Sequence, residues 1–205
     1  MKKMVIVGWG DHALDVADAL LKNGDDLAGF LDDTLKDTGS VETPYLGNFE
    51  KWQILADQGC LFICGISALE ARERLAADLP QLPWTAVVHP SAVVGLNAQV
   101  APGAFVGAGA VIGAEASVGA HTVLEAGCLV GSRASVGDFC QLLSRVNVGS
   151  GAVVGRGTFI GQSATLKNGV KIADNTVIQT GEIVVKDMVM KMVFKRGAWI
   201  YKENG

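Results

Sequence analysis

The chain has 205 residues, a formal net charge of −4 at pH 7 and 26 glycines, a length that holds one or two domains. The acidic balance excludes nucleic acid as the main partner, and no apolar run nears the roughly 20 residues that a membrane span needs. Met1-Lys2-Lys3 is followed by only a short apolar stretch, Met4 to Val7, too brief for a secretory leader, so a cytoplasmic protein without a membrane span is expected.

Residues 3–7 read as a Val- and Ile-rich strand that runs into Gly8-Trp9-Gly10-Asp11-His12-Ala13. A helical pattern then carries Leu14, Val16, Ala17, Leu20 and Leu21 until Asn23-Gly24 ends it. Residues 27–31 predict a second strand ending in Asp32-Asp33; helices are expected over 48–56 and 67–77, with a strand over 61–66 between them. The sum is a small Rossmann-like α/β unit with a parallel sheet, spanning residues 1–85.

Gly8-x-Gly10-x-x-Ala13, with acidic residues about 20 positions on, matches the dinucleotide fingerprint. Glycines let the backbone approach a pyrophosphate, the helix N-terminus offers free N–H donors, and a carboxylate ending the second strand accepts from a ribose or base. A tight turn needed only for packing is the plainer alternative. Strand context and the Asp32-Asp33 pair favour nucleotide binding by Gly8, Gly10, Asp11, His12, Asp32 and Asp33, with the nucleotide itself left open. His12 is expected near the ligand, and His89, just before Pro90, as a packed histidine where the two parts of the chain join.

From Val94 to Val184 an aliphatic residue falls at every sixth position without a miss, and a small residue such as Ala104, Ala110 or Ala116 follows four positions later. A period of six fits neither a helix nor a plain alternating strand, so each hexad is one short strand plus one turn, and three hexads make one triangular coil. Each aliphatic side chain then points inward and stacks on the one a coil above. Burial is worth roughly 1.5–3 kcal/mol per fully buried residue. The absence of insertions predicts a stiff prism over residues 86–188, followed by a tail over 189–205, because a one-residue slip would turn its interior outward.

Cys128 and Cys140 occupy the small position of their hexads, and Cys60 and Cys64 flank Leu61-Phe62-Ile63 with no companion at zinc spacing. All four are read as compact core residues, and no metal is expected.

A glycine-turn α/β unit followed directly by a hexapeptide prism resembles the bacterial sugar-nucleotide acetyltransferases, a group of hexapeptide-repeat acyltransferases. It includes the bacillosamine and perosamine N-acetyltransferases and the sialic acid O-acetyltransferases. The likeness rests on Val5-Ile6-Val7-Gly8-Trp9-Gly10-Asp11-His12-Ala13, Gly29-Phe30-Leu31-Asp32-Asp33, His89-Pro90-Ser91-Ala92-Val93 and the hexads as far as Lys186-Asp187. It implies a left-handed parallel β-helix, a homotrimer, acetyl-CoA as acyl donor and a nucleotide-linked sugar as acceptor, in cell-surface polysaccharide biosynthesis. The glycine turn would then face the diphosphate or nearby sugar, and Asp32 and Asp33 the nucleoside.

The family's reactive motif, Asn-Thr-Gly-Ala-x-x-Glu-His-Asp, aligns without gaps on Glu125-Ala126-Gly127-Cys128-Leu129-Val130-Gly131-Ser132-Arg133. The catalytic histidine therefore falls at Ser132, its orienting glutamate at Gly131, the asparagine at Glu125, and the second histidine, which contacts the acyl donor, at Gln141. General-base catalysis is worth about 10²–10⁴-fold, whereas holding two reactants in line supplies roughly 7–11 kcal/mol, so loss of the base alone need not abolish transfer and a substrate-assisted route stays open. Glu125 is a candidate replacement base, with a solvated turn carboxylate as its alternative. Nothing in the hexad of Ser132 supplies an activating base for a nucleophile, and His121 belongs to another part of the cross-section. Acyl-CoA is expected along the column Ser132, Ser150 and Asn168, with Lys191, Lys195 and Arg196 toward its phosphates. The family's Gly-x-Pro-Ala turn is replaced by Lys195-Arg196-Gly197-Ala198. The leading expectation is an acyl-CoA-dependent acyltransferase on a nucleotide-linked amino sugar; the alternative is a non-catalytic nucleotide-sugar-binding trimer. A nicotinamide enzyme is disfavoured, because no catalytic domain remains once the prism is assigned.

Overall fold

The computed structural model describes residues 2–34 and 43–190, together with the backbone of residues 193–195 and 198–200. The chain divides into two compact units, residues 1–90 and 91–205.

In the first unit, strand β1 (Lys3–Val7) is flanked by β2 (Asp26–Leu31) and β4 (Leu61–Cys64), and β3 (Tyr45–Gly47) pairs with β2 at the edge, all in parallel. The sheet order β3-β2-β1-β4 puts the reversal of winding at β1, where open α/β sheets take their ligands. Val5, Ile6, Val7, Phe62 and Ile63 are fully buried, as strands covered on both faces require. Helix α1 (Asp11–Lys22) buries Ala13, Val16, Ala17 and Leu20. It ends at Asn23, with Gly24 in the left-handed region at φ 71° donating to the Leu21 carbonyl.

The expected helix over 48–56 is a 3₁₀ turn, Phe49–Lys51, leading into α2 (Trp52–Asp57). The expected helix over 67–77 is α3 (Leu69–Asp78). Strand β3 was not foreseen, nor was β5 (Val87–Val88), because neither is long enough to show a period. The Asn23 side chain donates to the Val88 carbonyl. His89 is buried, with its Nε2 3.5 Å from Asp18 Oδ2.

The second unit is a left-handed β-helix of two-residue strands. Each pairs in parallel with the strand eighteen residues on, as Val118 with Val136 and Val130 with Val148. Gln99–Val100, Ser117–Val118, Ser135–Val136, Val153–Val154 and Lys171–Ile172 form one wall. A second wall starts at Val93–Val94 and Val111–Ile112 and ends at Ile183–Val184. The third runs from Phe105–Val106 through Val123–Leu124, Gln141–Leu142, Phe159–Ile160 and Val177–Ile178 to Val193–Lys195, which pairs antiparallel with Ala198–Ile200.

The inward column from Val106 onward is buried, Leu124, Val130, Leu142 and Ile160 completely. The third residue after each aliphatic has a positive φ from Asn97 to Gly181, whether it is glycine or not: His121 at 55°, Phe139 at 55° and Arg145 at 63° are examples. Buried threonines at the small position satisfy their hydroxyls internally. Thr122 Oγ1 donates to the Gly137 carbonyl at 2.7 Å and accepts from Cys140 N at 2.9 Å. The four cysteines are free and buried, and burial pushes the Cys128 thiol up to about 12 and that of Cys64 up to about 11. Among the described residues no group of His, Cys, Asp and Glu could hold a metal ion, and no helix is long and apolar enough to cross a membrane.

Candidate functional site

The glycine turn forms because the chain must leave β1 and enter α1 within three residues. Gly8 takes φ 80°, closed to most side chains, and its amide donates to the Leu31 carbonyl at 2.8 Å. A Cβ at Gly8 would lie 2.3 Å from Ile66 Cγ1, so a second reason for glycine is the close approach of the loop after β4. Gly10 is extended at the N-cap of α1, with no side-chain cap, which leaves first-turn amides for water or an anion. Asp11 and Gly10 are exposed on this turn.

His12, at the second position of α1, is drawn inward. Its imidazole is only 6 % exposed, and burial, with a smaller push from the nearby Arg72 guanidinium, lowers its pKa from 6.5 to about 4. It is a neutral, interior group at pH 7. Arg72, itself 1 % exposed, donates from Nη1 to the carbonyls of Ile66 and Ser67 and so shapes the loop facing Gly8. No local sequence signal marked it, since it sits in an ordinary charged helical stretch and its importance comes from packing alone.

Asp32 and Asp33 separate in role. Asp32 Oδ2 accepts from the Trp9 amide at 2.8 Å, and Oδ1 from the Thr34 amide at 2.8 Å and its hydroxyl at 2.9 Å. It braces the glycine turn from the end of β2. Asp33 is exposed, and its Oδ1 accepts from the Phe49 amide at 2.9 Å. Beside it opens a cavity of about 590 Å³, walled by Phe49, Trp52, Ile66, Arg74 and Leu79 among others.

On the prism, Glu125 is half-buried, and its Oε2 accepts both the amide and the hydroxyl of Ser144 at 2.9 Å. Its Oε1 accepts nothing from the described residues. Ser132 is exposed at the turn after Leu129–Val130, whereas Glu125 follows Val123–Leu124, so within one chain they lie on different walls. Gln141 is 8 % exposed in the strand Gln141–Leu142.

In the expected acyl-CoA column, the Ser150 amide is taken by Asn168 Oδ1 at 3.0 Å, and the carbonyls of Ser132 and Ser150 accept from Gly151 and Gly169. The Ser132 amide has no acceptor among the described residues. His121 stacks on Phe139 at 5.0 Å between centroids, and the Arg156 guanidinium lies 4.5 Å from the Phe139 ring centre, which makes His121 part of a turn stack. Lys195 belongs to the strand Val193–Lys195, while Lys191 and Arg196 fall outside the described residues.

Residues 3–79 match the PglD N-terminal domain. The perosamine N-acetyltransferase of Caulobacter crescentus, solved as a histidine variant with CoA and GDP-perosamine, is 25 % identical, with a TM-score of 0.89 and 98 % of each chain covered. PerB from Caulobacter crescentus, in complex with CoA and GDP-perosamine, is 26 % identical over 94 % of this chain and 93 % of its own, at a TM-score of 0.86. The acetyltransferase domain of PglB from Neisseria gonorrhoeae shares the fold at a TM-score of 0.88 and 19 % identity, over 98 % of this chain and 100 % of that one. No curated protein matches the chain in sequence. An α/β unit with a braced glycine turn, followed by an uninterrupted β-helix, makes this chain similar along nearly its whole length to these sugar-nucleotide acetyltransferases, with the fold of a hexapeptide-repeat acyltransferase.

Proposed function

We propose that this chain is a cytoplasmic, homotrimeric acyltransferase that moves an acyl group, acetyl by preference, from CoA to the amine of a nucleotide-linked sugar destined for cell-surface polysaccharide. Residues 1–85 bind the nucleotide-sugar through Gly8, Gly10 and Asp11, with Asp32 holding the turn in shape, and residues 86–188 carry the transfer. The observation that carries this reading is the full-length likeness, at 25–26 % identity, to an N-acetyltransferase solved with CoA and GDP-perosamine.

In the transfer, the amine lone pair attacks the thioester carbonyl, the carbon–sulfur bond breaks, and CoA leaves as its thiolate. The amine proton passes to Glu125 Oε1, held ready because Ser144 occupies Oε2, or to solvent from an amine already deprotonated in part. Because Glu125 and Ser132 lie on different walls of one chain, they act together only across a subunit boundary of the proposed trimer, where the open amide of the partner's Ser132 is the donor we assign to the developing oxyanion; the Ser132 hydroxyl, with no activating base in its hexad, is not a nucleophile. Gln141, Ser150, Asn168, Lys195 and Arg196 are retained as contacts for acyl-CoA, with Ser150 and Asn168 acting through side chains and not through the amide they already share.

Purified protein incubated with acetyl-CoA and a panel of nucleotide-linked amino sugars should release CoA thiol and yield an acetylated product by mass spectrometry. Glu125→Gln should lower turnover by about 10²-fold or more with assembly unchanged, and a variant as fast as the parent removes Glu125 from the mechanism. Thermal stabilisation by a sugar nucleotide but not by CoA, with no product, would replace the transferase with a nucleotide-sugar-binding trimer; a ligand at 100 times its Kd adds about 2.7 kcal/mol.

A further inference from the structure

Helix α1 has two working ends. Its N-terminus forms the turn at Gly10 and Asp11, and its C-terminal half holds the stretch of chain that leaves the first unit. Asn23, the C-cap, donates from Nδ2 to the Val88 carbonyl at 2.9 Å, 65 residues on. Asp18, just over a turn earlier, has its Oδ2 3.5 Å from His89 Nε2, and the same oxygen accepts from Lys22 Nζ at 2.8 Å. His89 is 6 % exposed, so its ring is packed as well as tethered. The first unit ends at Pro90. In the second, Ser91 Oγ accepts from the Gly109 amide at 3.0 Å.

The junction therefore has little slack. His89 is fastened within the first unit and Ser91 within the second, while Pro90 between them has its φ locked at about −65° and pushes His89 toward extended backbone. A flexible linker is rich in glycine and serine and unfastened. A helix of 12 residues is stiff and about 18 Å long, so a diphosphate bound at one end and a chain exit held at the other keep a fixed spacing. The affinity of each unit for its own ligand does not depend on that spacing. The rate of transfer does, because reactants carried on separate units meet productively only as far as their relative placement is confined.

Resting on the transferase reading above, we infer that Asp18, Asn23 and His89 are positioning residues, a clasp on the chain exit that aims the nucleotide-linked amine at the thioester without touching either substrate. The test is steady-state kinetics of the full chain with acetyl-CoA and its sugar-nucleotide acceptor, beside hydrogen exchange of the segment around Pro90. Asp18→Ala combined with Asn23→Ala removes two exposed side chains and leaves the buried His89 in place. It should lower kcat about tenfold or more, keep both KM values within about twofold, and speed exchange around Pro90. Asp18→Asn, which keeps an acceptor toward His89, should retain most of the parent rate. A double variant as fast as the parent, or one whose loss lies in KM, overturns the clasp and leaves the transferase standing. So does a lower kcat with unchanged exchange, because the loss then has another source. If the parent itself forms no product with any sugar nucleotide, the transferase reading falls and the positioning role falls with it.

Discussion

His12 shows how one buried side chain sets a pH limit. Its folded pKa, about 4, lies below the 6.5 of an exposed histidine, because burial and then Arg72 disfavour the imidazolium. The unfolded chain therefore binds the proton first, and stability falls as pH drops from about 6.5 toward 4. Between pH 7 and pH 5 this single group should remove about 2 kcal/mol. Urea unfolding of the parent and of His12→Gln at the two pH values checks it: the parent should lose that much more than the variant, and equal losses would clear His12 of the effect. The fingerprint located this residue in the sequence, but its inward rotamer follows from the packing of α1 beside Arg72, contributed by α3 far along the chain. Asp32 is similar. The spacing marked the carboxylate, and the hydrogen bond from Trp9 decides that it supports the turn.

Among the elements, the hexad sets two opposite demands on the residues after each aliphatic. The first often approaches the coil above so closely that glycine is needed: a Cβ at Gly131 would lie 2.5 Å from the Ser150 nitrogen. The orienting glutamate of the family motif does not fit there unless that backbone moves. Gly131→Ala should therefore cost about 1–3 kcal/mol, the usual penalty for overpacking. The third residue is always left-handed, which favours glycine for a different reason, and Arg145 at φ 63° is exposed and strained by this geometry. Arg145→Gly should gain about 0.5–1 kcal/mol. Thermal unfolding of the two variants reads both signs, and a stabilised Gly131→Ala would contradict the close approach. The period of six was plain in the sequence because every turn repeats the same geometry. The 3₁₀ turn at Phe49–Lys51 and the short strands β3 and β5 were not, because elements of two or three residues carry no period.

Over the whole molecule, the prism walls differ in what they present outward. Along one, Val93, Val111 and Leu129 are exposed at 58 %, 38 % and 40 %, an apolar column continuing to Ile183 after Asn147 and Thr165. Exposed apolar surface of this kind supports the proposed trimer. Sedimentation equilibrium should give three times the chain mass, and Leu129→Lys should shift it toward the monomer; a monomeric parent would remove the assembly. The β-helix, the α/β unit before it and the glycine turn were all legible in the amino-acid order, because each is a local geometry repeated or punctuated at short range. What only the tertiary structure decided is which groups remain open for chemistry: Asp33 and not Asp32, the Ser132 amide and not that of Ser150, one oxygen of Glu125 and not both. Those outcomes depend on partners such as Trp9, Phe49, Ser144 and Asn168, brought together by folding from 16 to 23 residues away; spacing stacks some of them, but which donor meets which acceptor follows from side-chain geometry alone.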